Sequence, residues 1–277
     1  MLRRQLGAEL RRLRERVGRT VGEVARELGW SESKLSRVET AVSGIRAGDL
    51  ERLLDAYGIE NAERARLIGL SGQARQRAWW EAYGDALPNA YETYIGFEAE
   101  ASSIYTYEAQ VVPGLLQTAE YTSAIMQAEL ADDRPEIIGQ RVQVRMARQA
   151  VLTRNPPPEL WAVMDEDVVR RPIGGRDVLR RQLLRLAEVS ERPNVTLQIL
   201  PFGVGAHRGL SGSFIVLEFP DGTDESLVYC EGLTGGVFRS KPVELRTYWM
   251  AFEALRTAAL SPKDSIALIQ SVVQAKG

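Results

Sequence analysis

Cysteine and histidine are almost missing from this chain. Its 277 residues include one cysteine, Cys230, and one histidine, His207. A single cysteine excludes an intrachain disulfide and any multi-cysteine zinc site, and it suits a reducing cytoplasm. A single histidine excludes a cluster of imidazole metal ligands. No apolar run reaches the ~18 residues that suggest a membrane span. The N-terminus has no apolar core of the kind a secretory signal needs. Residues 3–19 are Arg-rich, but Glu9 and Glu15 interrupt them. They therefore read as a helix rather than a transit peptide. Net charge is also scarce, at −2. That value hides an asymmetry: residues 1–80 carry 16 Lys+Arg against 11 Asp+Glu, and residues 81–277 carry 19 against 26. A basic first part on an acidic remainder fits an anionic partner for the first part alone.

What is present is ordinary globular material. The apolar fraction is 44% and the charged fraction 26%, typical of packed soluble domains. The length allows one large or two ordinary domains. The most informative stretch is Thr20 to Thr40, TVGEVARELGWSESKLSRVET. Thr20 and Glu23 have the spacing of a capping box. Val21, Val24, Ala25 and Leu28 share one helical face. Gly29 supplies the left-handed residue that ends a helix, and Ser31 is placed to cap the next one. Leu35 and Val38 then face inward, while Glu32, Ser33, Lys34, Ser36 and Arg37 point outward. This pattern is a helix-turn-helix, whose second helix enters the DNA major groove in units of that kind. An αα-hairpin without DNA contacts would show the same window, so its surroundings matter. Before it, Leu2, Leu6, Leu10, Leu13 and Val17 make a helical stripe. After it, Leu50, Leu53, Leu54 and Tyr57 make a fourth helix. A fifth starts at Asn61, with Ala65, Leu67 and Ile68 inward.

Five short helices with an exposed, polar third resemble the lambda-repressor/Cro-like helix-turn-helix family, also called the XRE family. The resemblance rests on Leu10 to Arg14, Glu23 to Ala25 and Leu35 to Glu39. It implies that Ser31, Glu32, Ser33 and Arg37 approach base edges and phosphates of double-stranded DNA. Lys34 is implied to lie along the DNA backbone. Arg14 and Glu39 match an ion pair tying the first helix to the third; two solvated charges are the other reading. The family's frequent Gln in the first turn of helix 2 is Val21 here, which removes one phosphate contact.

Residues 1–72 thus read as an all-α helix-turn-helix domain and 73–101 as a helical linker. Residues 102–277 read as an α+β domain with a small mixed or antiparallel sheet. Trp79 and Trp80 are adjacent and cannot share a helix face. Either one serves an interdomain or subunit contact, or both serve the second core. In the second domain, strands are expected at 104–108, 160–164, 195–200, 213–219 and 226–229. Helices are expected at 115–130, 135–153, 176–192, 241–259 and 261–275. Arg141, Arg145 and Arg148 fall on one side of the second of these.

Four segments of this half, Tyr107 to Tyr121, Asp165 to Gly175, Asn194 to His207 and Ala259 to Ile269, are similar to a known family. It is the C-terminal domain of actinobacterial regulators labelled antitoxin-like or WhiJ-like. That resemblance implies a cytoplasmic transcriptional regulator, often encoded beside a small protein that it binds. No nucleophile, base and orienting group stand out together, so a catalyst is not expected. No cofactor or metal is implied. Gly174-Gly175 and Gly232 to Gly236 lack the Lys-Ser/Thr of a phosphate loop and read as turns. The Gly203 to Gly212 loop, with His207 and Arg208, is the candidate ligand or partner site. Asp165, Glu166, Asp167 and Glu231 are candidate neighbours across the sheet. The sequence therefore points to a dimeric DNA-binding regulator whose second domain binds a partner or ligand. An antitoxin-like adaptor that mainly holds a small protein is the alternative.

Overall fold

Leucines at helical spacing build the first domain. In the computed structural model, which describes residues 2–42, 44–76, 83, 86–130, 134–220, 226–233 and 235–275, the chain divides into two compact units, Met1–Ala82 and Tyr83–Gly277. The first unit holds α1 (Leu2–Arg16), α2 (Val21–Leu28), α3 (Glu32–Glu39), α4 (Ala47–Ala56) and α5 (Asn61–Gln76). Leu10, Leu13, Leu35, Leu53, Leu54 and Leu67 are fully buried at its centre. Two details of the expected pattern differ. Val17 lies beyond the end of α1 and is 39% exposed, because Gly18 turns the chain at a φ of 69°. The inward face of α5 runs through Leu67, Leu70 and Ser71, leaving Ala65 and Ile68 exposed. Gly7 lets α1 lie close against the end of α3: a Cβ there would stand 2.7 Å from the Glu39 carbonyl oxygen and 2.9 Å from that of Val38. Trp79 and Trp80 lie outside the described residues.

The second unit is α+β. Its elements run α6 (Asn89–Glu100), β1 (Ser103–Glu108), α7 (Ala119–Glu129), α8 (Pro135–Arg148), β2 (Glu159–Asp165), α9 (Glu166–Arg170), α10 (Arg176–Val189), β3 (Val195–Leu200), β4 (Phe214–Glu218), β5 (Leu227–Cys230), β6 (Val237–Arg239), α11 (Pro242–Ala258) and α12 (Pro262–Ala275). The six strands form one mixed sheet in the order β3-β2-β1-β4-β5-β6. β1, β2 and β3 are parallel; β4, β5 and β6 join antiparallel. β1 is the strand at which the two pairing modes meet. The Gly232 to Gly235 turn closes the β5–β6 hairpin through paired backbone hydrogen bonds of 3.2 and 3.0 Å. β6 is too short, at three residues, to have shown an alternating pattern.

Alternation along the strands gives the sheet two different faces. Tyr107, Val163, Phe214, Val216 and Val228 pack under Phe252 and Leu255 of α11. On the opposite face Tyr94 of α6 stacks on Tyr229 with ring centroids 4.5 Å apart. Phe97 meets Phe219 and Phe238 edge-on. Most of the stretch read as a linker is therefore taken up by helices, with α5 running to Gln76 and α6 covering the sheet.

Beside α6 lies a buried charged pair. Arg148 of α8 donates from Nε to Glu98 Oε1 at 2.8 Å and from Nη2 to Oε2 at 2.6 Å. Tyr94 donates its hydroxyl to Glu98 Oε2 at 2.6 Å, and Arg148 also donates to the Tyr91 hydroxyl. Glu98 is 1% exposed and Arg148 6%.

Glu108 ends β1 on the same face of the sheet. The Thr106 hydroxyl donates to its carboxylate at 3.1 Å, yet desolvation dominates and pushes its pKa up to about 7. An unfolded chain ionises this group near pH 4.5. Between those two values the folded state keeps a proton that the unfolded state has lost, so stability falls as pH rises through that window. The whole loss is about 3–4 kcal/mol. Glu108→Gln is expected to remove it, read as urea midpoints at pH 5 and pH 7.5 that differ less than in the wild type. An unchanged difference would assign the slope to other groups.

Candidate functional site

The turn between α2 and α3 is fixed by capping chemistry. The Thr20 hydroxyl accepts from the Glu23 amide at 3.3 Å, and the Glu23 carboxylate accepts from the Thr20 amide at 2.7 Å. That reciprocal bonding holds the Glu23 carboxyl below its ordinary pKa. Gly29 sits at a φ of 68°. Its N–H bonds the Arg26 carbonyl at 3.2 Å, and the Trp30 N–H bonds that of Ala25 at 2.8 Å. These two bonds make a Schellman ending, which aims the chain directly at the next cap. The Ser31 hydroxyl then accepts from the Lys34 amide at 3.2 Å and starts α3.

A buried ion pair seats the far end of α3. Arg14 donates from Nε to Glu39 Oε1 at 2.7 Å and from Nη2 to Oε2 at 2.9 Å, and its Nη1 reaches the Arg19 carbonyl at 2.9 Å. The Tyr57 hydroxyl adds a bond to Glu39 at 3.4 Å. Hydrogen bonding to Glu39 raises the Arg14 pKa, while burial raises that of Tyr57. Both ends of α3 are thus anchored, and its polar face is left outward. Ser31, Glu32, Ser33, Ser36 and Arg37 are exposed. Arg37 makes no ion pair or side-chain hydrogen bond among the described residues, so its guanidinium is free to meet a base or a phosphate.

Lys34, Glu32, Ser31 and Ser33 are engaged within the domain. Lys34 Nζ lies 2.9 Å from Asp49 Oδ2 and 4.0 Å from the centre of the Trp30 ring. It is therefore held toward the start of α4, and a phosphate would have to compete with Asp49 for it. The Glu32 carboxylate rests on the first turn of α2, where a Cβ on Gly22 would lie 2.9 Å from Oε1. The positive end of that helix favours an anion there. Ser31 and Ser33 share a hydroxyl contact at 3.2 Å. The partners of Lys34 were not legible from spacing, because Asp49 comes from another helix.

In the second unit, the carboxyl ends of β1 and β2 and the loop after β3 bring Tyr107, Asp165 and His207 together. Open parallel sheets commonly bind ligands at such strand ends. The Gly209 amide donates to His207 Nδ1 at 3.1 Å, which leaves Nε2 toward Asp165 Oδ2 at 3.8 Å. The imidazole lies edge-on to Tyr107 with centroids 5.9 Å apart. Burial first, then the Asp165 charge, pushes the Tyr107 hydroxyl up to about 12. Gly209 is required here, since a Cβ would run into the Tyr107 ring. Asp165 also caps α9, and Glu166 accepts from the Phe202 amide at 2.9 Å. Arg208 is exposed, with no hydrogen bond or ion pair among the described residues. Glu231, a candidate neighbour of this group, follows β5 two strands away from β1. The rim of the loop is apolar: Phe202 is 56% exposed and Leu210 70%.

Two capped helices around a Schellman turn, with an outward polar second helix, define a DNA-binding helix-turn-helix protein. Residues 5–67 match a helix-turn-helix domain, and the chain acts in transcription regulation through it. Residues 91–271 match a domain of unknown function, DUF5753, and the chain belongs to that family. No curated protein and no solved structure matches it. Among the described residues, no helix is long and apolar enough to cross a membrane.

Proposed function

We propose that this chain is a cytoplasmic, homodimeric regulator that reads double-stranded DNA with α3. Its second domain binds a small protein or a ligand at the Gly203 to Gly212 loop and does not catalyse a reaction. The observation that carries the DNA reading is the unpartnered Arg37 on an exposed face beside Ser33 and Ser36, on a helix anchored at both ends. One such helix reads few bases, so two copies on half-sites roughly 34–36 Å apart supply the specificity. The acidic balance of residues 81–277 favours a partner other than DNA for the second domain. The exposed Phe202 and Leu210 suit a protein surface. The WhiJ-like and antitoxin-like resemblance supplies the class of partner, a small protein encoded alongside. His207, Asp165 and Arg208 are taken as binding groups in this reading.

Arginine bidentate to guanine is worth about 1–3 kcal/mol of discrimination. Arg37→Ala is therefore expected to weaken binding to the upstream region about ten- to hundred-fold and to relax preference at one position. Footprinting and titration at fixed salt provide the check. Unchanged affinity and unchanged preference would remove Arg37 from the interface.

A further inference from the structure

Tyr107 and Glu108 are neighbours on β1, so they open onto opposite faces of the sheet. The His207 group uses the first face. The second face holds a separate set of charges. Register places Tyr107 opposite Phe214 and Ile215 opposite Tyr229. Continued one residue past the first pair and two past the second, the ladders set Glu108, Ser213 and Glu231 side by side across three strands. Adjacent strands lie about 4.7–4.9 Å apart, so the two carboxylates flank Ser213 with about twice that spacing between their backbones. Arg145 of α8 and Glu129 at the end of α7 belong to the same set. The charges of Arg145 and Glu231 both act on Glu108 and on Glu129.

Arg145 is unusual in this company. It is 9% exposed, and its Nε is buried with no hydrogen-bond partner. Its Nη1 is fixed by Gln117 Oε1 at 3.2 Å, and Tyr91 bonds it as well. Among the described residues it forms no ion pair with the three carboxylates around it. Glu108 is held back in turn by the Ser213 hydroxyl and by the Thr106 hydroxyl. A buried guanidinium nitrogen without a partner is costly. A simple anion on Arg145 would face three carboxylates. A simple cation between the carboxylates would face the guanidinium. A molecule carrying both charges satisfies both sides.

We propose that this end of the sheet is a binding site for a small amphoteric molecule of the amino-acid class. Its carboxylate sits on Arg145 and its ammonium lies between Glu231 and Glu108, which gives up its proton to solvent as the ammonium arrives. Arg145 forms the closed end, and exposed Glu231 forms the entrance. The site concerns the second domain alone, so its test is independent of DNA binding.

The test uses the full chain, with glycine, β-alanine, 4-aminobutanoate and L-lysine as probes at about 10 mM. Acetate and methylammonium serve as the two half-ligands. Thermal unfolding and titration calorimetry are the readouts. At least one amphoteric probe is expected to raise the melting temperature and to bind about ten-fold or more tighter than either half-ligand. Glu231→Gln, at an exposed position, is expected to melt like the wild type and to bind that probe about ten-fold more weakly. Arg145→Lys is expected to abolish the preference over methylammonium. No shift with any amphoteric probe would overturn the proposal and leave water as the partner of Nε. So would acetate binding as tightly as the amino acids, or a Glu231→Gln variant that binds undiminished.

Discussion

A Glu98→Ala variant is expected to lose about 3–5 kcal/mol of second-domain stability. The cost is not that of the lost bonds alone. The substitution leaves the Arg148 guanidinium, 6% exposed, inside the domain without its counter-charge, and the Tyr94 hydroxyl without its acceptor. Removing one member of a buried pair is far worse than removing both, because the survivor cannot recover its hydration. The double variant Glu98→Leu with Arg148→Met is therefore expected to be more stable than Glu98→Ala by a clear margin. Urea titrations of the three proteins decide it. A single variant costing under about 1 kcal/mol would place water around the pair, as at an exposed bridge.

Arg14→Met is expected to act on two measurements at once. It strands Glu39, 7% exposed, and lowers first-domain stability by about 2–3 kcal/mol, less than in the second domain because this pair lies closer to solvent. Glu39 is also the last residue of α3, so the helix loses its seat. Affinity for DNA is expected to fall although Arg14 is not on the exposed face. Arg37→Ala should show the opposite signature, with melting unchanged and binding weakened. If Arg14→Met melted early yet bound DNA as the wild type does, α3 would be held in place by its apolar contacts alone.

Local signals were legible in the sequence, and contacts between distant segments were not. The Thr20–Glu23 box, the Gly29 ending and the Ser31 cap are encoded within a few residues of where they act, and each stands as spacing suggested. The five longer strands follow from runs of β-branched and aromatic residues. The Arg14–Glu39 pair was available through resemblance, with solvated charges as the other reading, and the bidentate geometry decides for the pair. What spacing does not carry is direction. Arg141, Arg145 and Arg148 read as one side of a helix, and spacing does not say whether that side faces inward. Two of them turn inward because Glu98 and Gln117, from other elements, receive them. Lys34 likewise looks free until Asp49 and Trp30 are placed beside it, and Asp165 meets His207 only when β2 and the loop after β3 come together.

The meeting of parallel and antiparallel pairing at β1 governs how the chain folds as it is made. Ser103 pairs with Glu159 on one side and with Glu218 on the other, so the central strand waits for segments synthesised long after it. Contacts of such separation slow folding. The helix-turn-helix needs only neighbours within the first unit, which ends at Ala82. On the ribosome, then, the DNA-reading domain is complete while β1 still exposes two unpaired edges. A chain released before β4 would keep the reading helix and lack a closed sheet.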